Sequence, residues 1–278
     1  MVAHILLIQC PDQPGLIAAI TGILYQFNVN IISNDEFVER KGNWFFMRTE
    51  FSGAFEQEPL IQKLSAALPS EAVIKLSPGA NKKIVVLASK EHHCLADLLV
   101  RHHYNELGAE ILAVIANHQT LEPLVHKFGL PFHFVPHEGE SRESHEQSIA
   151  AIIDRYNLHF VVLAKYMRIL SPQFVSRYPN KIINIHHSFL PAFVGAKPYA
   201  QAYERGVKII GATAHYVNDH LDEGPIIAQS IIPVNHTHGA KEMQQAGRDV
   251  EQMVLARALR LVFHERVFVY GNKTVIFD

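Results

Sequence analysis

The sequence predicts an α/β protein of two domains: a small βαββαβ unit, then a doubly wound, mostly parallel sheet. Three observations carry that prediction. Along the chain, apolar residues alternate between helical spacing and strand spacing, with no internal repeat. Ser77-Pro78-Gly79-Ala80-Asn81 is the clearest run of turn formers and reads as a linker. From Lys82 onward the pattern changes to continuous apolar runs, as strands buried on both faces require.

The first domain is expected over residues 1–77. Residues 4–9 are a mostly apolar strand, and the turn Cys10-Pro11-Asp12-Gln13-Pro14-Gly15 ends it. Apolar residues at 16, 17, 20, 23, 24 and 27 give the next stretch helical spacing. Residues 29–38 and 44–51 read as strands joined by a tight turn at Lys41-Gly42-Asn43. A helix over 59–68 and a short strand over 72–76 complete the ferredoxin-like order.

The second domain is expected over 82–278. Strands are predicted at 84–88, 111–116, 132–135, 159–164, 182–186, 209–216 and 226–233. Helices are predicted at 93–104, 121–128, 144–156, 172–177, 199–205 and 239–262, and a terminal hairpin turns at Gly271-Asn272. Strands alternating with helices define a doubly wound sheet.

Composition excludes several partners. A net charge of −2 with no basic stripe gives no footprint for nucleic acid. No apolar run approaches the roughly 20 residues that span a bilayer, so no membrane is expected. The first residues read as a strand and not as a signal peptide, and two cysteines make no disulfide framework; the expected compartment is the cytoplasm. Eighteen histidines invite a metal reading. No HExxH or related spacing occurs, so no metal site is expected, and most histidines are assigned to the surface or to helix ends.

Asp12-Gln13-Pro14-Gly15-Leu16 opening a helix, followed by Asn28-Val29-Asn30-Ile31, resembles the ACT domain. Helix-start N–H groups suit a carboxylate, and Gly15 permits close approach of the chain. The resemblance implies a homo-oligomer paired through this domain. It also implies an amino-acid effector, glycine or methionine, at Asp12, Gln13, Gly15 and Leu16. A pairing module without a ligand is the alternative.

The stretch 181–229 concentrates the polar chemistry. Side chains alternate along a strand, so Asn184 and His186 share a face and Ile185 takes the other. If the loop carrying Asp222 folds over that strand end, an amide, an imidazole and a carboxylate converge where open α/β sheets bind ligands. Such a set suits a reaction that passes through an oxyanion. Asn184 and an imidazolium at His186 would stabilise the oxyanion, one such donor being worth about 3 kcal/mol. Asp222 would hold the imidazole and relay a proton. Gly195 and Gly224 give the loops freedom, and Pro191, Pro198 and Pro225 stiffen them.

Asn184-Ile185-His186-His187-Ser188-Phe189-Leu190-Pro191 and Leu221-Asp222-Glu223-Gly224-Pro225-Ile226-Ile227 resemble two motifs of the formyltetrahydrofolate-dependent formyltransferases. Ala164-Lys165-Tyr166-Met167-Arg168-Ile169-Leu170 resembles their folate-pocket segment. The resemblance implies catalytic roles for Asn184, His186 and Asp222. It also implies a folate slot at Met167, Arg168, Ile169 and Leu170, with Asn218 and Leu221. His187 and His220 are expected to be supporting at most, and Lys197 and Tyr199 to face the site.

The acceptor is read from a departure. Transferases acting on glycinamide ribonucleotide carry a Gly-rich S-G-x-G-S turn after the first strand of this domain, whose N–H groups suit a phosphate. Here that place reads Ser89-Lys90-Glu91-His92-His93, with no glycine and a repelling Glu91. Water is left as the acceptor. Along its whole length the chain resembles the formyltetrahydrofolate deformylases. That implies hydrolysis of 10-formyltetrahydrofolate with no cofactor, formate for purine synthesis and balance of one-carbon pools. Rival readings are formyl transfer onto phosphoribosylglycinamide and a folate or amino-acid sensor with an inactive catalytic domain. Formylation of methionyl-tRNA is disfavoured by the lack of a basic domain.

Overall fold

A computed structural model of the chain describes residues 3–79, 81–191 and 198–278. Gly195 and Lys197, singled out above, lie outside the described residues. The chain divides into two compact units.

Unit 1 holds β1 (Ala3–Pro11), α1 (Leu16–Gln26), β2 (Asn30–Glu39), β3 (Trp44–Ser52), α2 (Gln57–Ala67) and β4 (Val73–Pro78). The antiparallel sheet runs β2-β3-β1-β4. Period 2 sorts its side chains: Leu6, Ile8 and Cys10 of β1 and Phe45, Met47 and Phe51 of β3 share a core with Leu16, Ile20, Leu24, Leu60 and Leu64 of the two helices. α1 starts after Gly15, whose φ of 92° is left-handed backbone that a side chain disfavours.

Two expectations are corrected here. β4 continues through Ser77 and Pro78, pairing with Ile5 and His4, so the first two residues of the proposed linker are strand. Residues 82–278 are also not one unit, because His264–Phe268 and Val275–Asp278 group with unit 1. Glu265 anchors them: it receives Lys75 Nζ at 2.7 Å and the Ser77 hydroxyl at 3.1 Å, and its carbonyl accepts from buried Arg48. Phe268 packs edge-on against Phe46.

Unit 2 is built on a seven-stranded sheet. Its strands are β5 (Lys82–Ala88), β6 (Ala109–Ala116), β7 (Phe132–Phe134), β8 (Phe160–Ala164), β9 (Ile182–His186), β10 (Ile209–Tyr216) and β11 (Ile226–Pro233), in the order β11-β10-β9-β8-β5-β6-β7. The run from β7 to β9 is parallel; β10 and β11 are antiparallel. Ile84 to Ala88 are fully buried, as a strand covered on both faces must be. The helices are α3 (His93–His103), α4 (Glu122–His126), α5 (Arg142–Ile153), α6 (Pro172–Arg177), α7 (Pro198–Glu204) and α8 (Ala240–Phe263). A hairpin of β12 (Val267–Tyr270) and β13 (Lys273–Ile276) ends the chain.

From β5 the chain goes out through β6 and β7, then returns to lay β8 and β9 on the other side. The strand order therefore reverses beside β5, and loops leaving the carboxyl ends of β5 and β8 diverge around a crevice.

Candidate active site

The end of β9 meets β10 in antiparallel register, with Asn184 opposite His215 and His186 opposite Thr213. Cross-strand partners lie on the same face, so this pairing adds His215 to the expected trio. His215 Nδ1 donates to the Tyr216 carbonyl (2.8 Å), which leaves Nε2 as the acceptor for Asn184 Nδ2 at 3.3 Å. Burial keeps His215 neutral, lowering its pKa. The assignment also orients Asn184, with its NH2 group toward the histidine.

Asp222 arrives on the loop after β10. Tyr216 N–H donates to the Pro225 carbonyl (2.9 Å) and closes the loop's base. Gly224 permits that closure, since a Cβ there would lie 1.7 Å from Tyr216 O. Asp222 itself has left-handed backbone, φ 58°. Its Oδ2 lies 3.3 Å from His186 Nδ1, and its Oδ1 3.7 Å from His215 Nε2. Burial favours the protonated acid, but the hydrogen bond and charge of His186 outweigh it, holding the carboxyl below its usual range. The other ring nitrogen of His186, Nε2, is buried with no hydrogen-bond partner among the described residues. Such a group is costly to leave unpaired, and exceptions concentrate at catalytic positions.

Asn184, His186, His215 and Asp222 line a cavity of about 470 Å³. The expected slot residues Met167, Arg168, Ile169, Leu170, Asn218 and Leu221 all line it too. Met167, Ile169 and Leu221 are each more than half exposed (56, 58 and 53%), an apolar rim suited to a flat ring. Both ends of this wall are tied down. Met167 N–H donates to buried Ser89 Oγ (2.9 Å), and Ser171 donates to buried Glu146 through its N–H (2.7 Å) and its hydroxyl. Asn218 Oδ1 accepts from His220 N–H (3.1 Å), shaping the loop. Exposed His220 sits on the rim beside Asp219. His187 is half-buried and lines the same cavity; desolvation, then Lys165 and His186, push its pKa down to about 3, so it is neutral.

Several groups at the site were not expected from sequence. Besides His215, they are Arg142 on the cavity wall and a buried cluster of Lys165, Glu251 and His93. Tyr199, expected to face the site, joins that cluster. Burial alone would raise the Glu251 pKa, but the His93 hydrogen bond, the Lys165 charge and the Tyr199 hydrogen bond hold it at about 2. Besides His186, the buried histidines among the described residues are His145, His215 and His93, the last of which opens α3. Among the described residues His93, Cys94 and Glu251 have metal-ligand spacing. The Lys165 ammonium, 3.1 Å from Glu251, competes with any cation there.

A doubly wound sheet with this polar crevice, joined to a βαββαβ unit, defines a class: a formyl-transferase-type domain carrying an ACT domain. Family models agree. One described as formyl transferase matches residues 82–259, more than half of the chain, and one described as ACT domain matches residues 4–68. The chain is 60% identical over 267 residues to the formyltetrahydrofolate deformylase of Escherichia coli O6:H1, covering 96% of this chain and 95% of that one. It superposes on the crystal structure of a formyltetrahydrofolate deformylase from Pseudomonas syringae pv. tomato with a TM-score of 0.96 at 41% identity, covering 100% and 95% of the two chains. Glycinamide ribonucleotide transformylase 1 from Symbiobacterium toebii aligns with a TM-score of 0.68 at 29% identity, over 73% of this chain and 97% of that one. The chain belongs to the formyltetrahydrofolate deformylase family.

Proposed function

We propose that the protein hydrolyses 10-formyltetrahydrofolate to formate and tetrahydrofolate. The observation that carries this reading is the approach of Asp222 to His186 Nδ1, with His186 Nε2 unpartnered among the described residues in a cavity with an apolar rim. Water is held by Asp222 and His186 and loses a proton to them as it attacks the formyl carbon. Asn184 N–H and His186 receive the oxyanion. The C–N10 bond then breaks as the proton passes to N10. None of these steps requires a metal or a redox group. The pterin lies against Met167 and Ile169, and Arg142 and Arg168 offer cations for the substrate's glutamate carboxylates. The substrate incubated alone with the enzyme is expected to give equimolar formate and tetrahydrofolate. Turnover that depends on an added phosphate-bearing amine would instead identify a transferase, and no turnover a sensor.

The finer setting follows from the same reading: a cytoplasmic enzyme that releases formate for purine synthesis and adjusts the one-carbon pool. In unit 1, a cavity of about 560 Å³ at the start of α1 is lined by Asp12, Gln13, Gly15 and Leu16. It supports an amino-acid effector there, with pairing of copies through this domain. Titration calorimetry is expected to show heat of binding with glycine or methionine; silence with both refutes the effector.

A further inference from the structure

Beside the candidate centre lies a smaller chamber of about 190 Å³ that shares Lys165, Met167 and His187 with the main cavity. The His187 ring stands between, 5.0 Å from the His186 ring and 6.3 Å from that of Tyr199. Polar side chains that no step above uses line this chamber. Glu251, 1% exposed, accepts from His93 Nε2 (2.6 Å), from the Tyr199 hydroxyl (2.6 Å) and from Lys165 Nζ (3.1 Å).

Two local features build the cluster. Gly247 precedes Glu251 by one turn of α8, and the Tyr199 ring lies 2.1 Å from where a Cβ on Gly247 would sit. Without that glycine the hydroxyl could not reach the carboxylate. Lys165 leaves β8 with φ 60°, left-handed backbone rarely held by a long side chain, and its ammonium ends on Glu251. Such backbone concentrates at functional sites. Buried ion clusters return little net stability, because desolvation offsets pairing. A strained lysine and buried charges beside a reaction centre are better explained by selectivity.

An acceptor other than water must enter beside the formyl carbon with its own polar groups. Here it meets a chamber of only about 190 Å³ and a carboxylate that already accepts from three donors. The nearby Arg248 is likewise paired with Glu91 at 2.8 Å. Water needs neither the space nor the partners. We propose that the Lys165–Glu251–His93–Tyr199 cluster is the specificity determinant that occupies the acceptor side, so that water and not a primary amine takes the formyl group. This rests on the hydrolytic reading of the same centre. With the chamber widened, an amine nitrogen attacks the formyl carbon, the C–N10 bond breaks and one amine proton ends on N10. The products are then an N-formyl amine and tetrahydrofolate.

The test offers glycinamide with 10-formyltetrahydrofolate and measures formylglycinamide and formate by mass spectrometry. The wild-type protein is expected to yield formate alone. Lys165→Gly, which suits the left-handed backbone, is expected to raise the ratio of formylglycinamide to formate roughly tenfold or more. Lys165→Met keeps the chamber narrow and should stay with water. If Lys165→Gly does not fold, Tyr199→Ala widens the same chamber and carries the test. A folded widened variant with the wild-type ratio, or a methionine variant that transfers as well as the glycine one, overturns the proposal alone. Absence of formate from the wild-type protein overturns the hydrolytic reading as well.

Discussion

An Asp222→Asn protein is expected to fold normally and to release formate roughly 10²–10⁴-fold more slowly than the wild type, the usual contribution of a positioned acid–base group. The substitution is isosteric, so the loop closed by Tyr216 N–H and the Pro225 carbonyl should keep its shape. What changes is the charge 3.3 Å from His186 Nδ1. An amide neither accepts water's proton nor favours an imidazolium during the reaction. The carboxyl of Asp222 is held below its ordinary 3.8, so it is ionised at neutral pH and its loss of charge lies on the acid side of that value. Any limb of the wild-type pH–rate profile near neutrality therefore belongs to another group. Circular dichroism checks the fold and a stopped formate assay the rate; a folded variant with wild-type turnover would refute the assignment.

Much of this site is legible in sequence because it uses period 2. Asn184 and His186 share a face by alternation alone, and the turn chemistry of Leu221-Asp222-Glu223-Gly224-Pro225 marks the loop that brings the carboxylate. His215 is not legible in the same way. It lies in a predicted strand with apolar neighbours, and only antiparallel pairing of β10 on β9 sets it opposite Asn184. The available signal was parity: once Thr213 faces His186, His215 must face Asn184. Glu251 is hidden for another reason. On α8 it occupies the buried stripe with Gly247, Val250, Val254 and Leu255, where a carboxylate needs partners that come from α3, α7 and the loop after β8. The end of the chain is the least legible part. Residues 264–268 show no periodicity that assigns them to a unit; the Glu265 carboxylate on Lys75 and Ser77, the His264 and Glu265 carbonyls on Arg48 and the Phe268 ring on Phe46 hold them.

Asn184 shows how one hydrogen bond decides the orientation of an amide in the candidate site. Because His215 Nδ1 donates to the Tyr216 carbonyl, its Nε2 must accept, and the Asn184 NH2 group is turned toward it. The second N–H of that group is then available to an oxyanion forming beside His186. Asn184→Ala removes this donor, and kcat is expected to fall roughly 10²–10³-fold. Because the oxyanion exists only as the transition state forms, KM should change little. Asn184→Asp should be worse, since a carboxylate opposes both the His215 lone pair and the oxyanion. His215→Phe keeps the ring but frees the amide to rotate. It should lower kcat less than Asn184→Ala, and the double variant should be no slower than Asn184→Ala alone, since both changes act through one amide. Steady-state kinetics of the three proteins decide the matter. A fall confined to KM, or strictly additive losses, would show that Asn184 holds the substrate rather than the transition state.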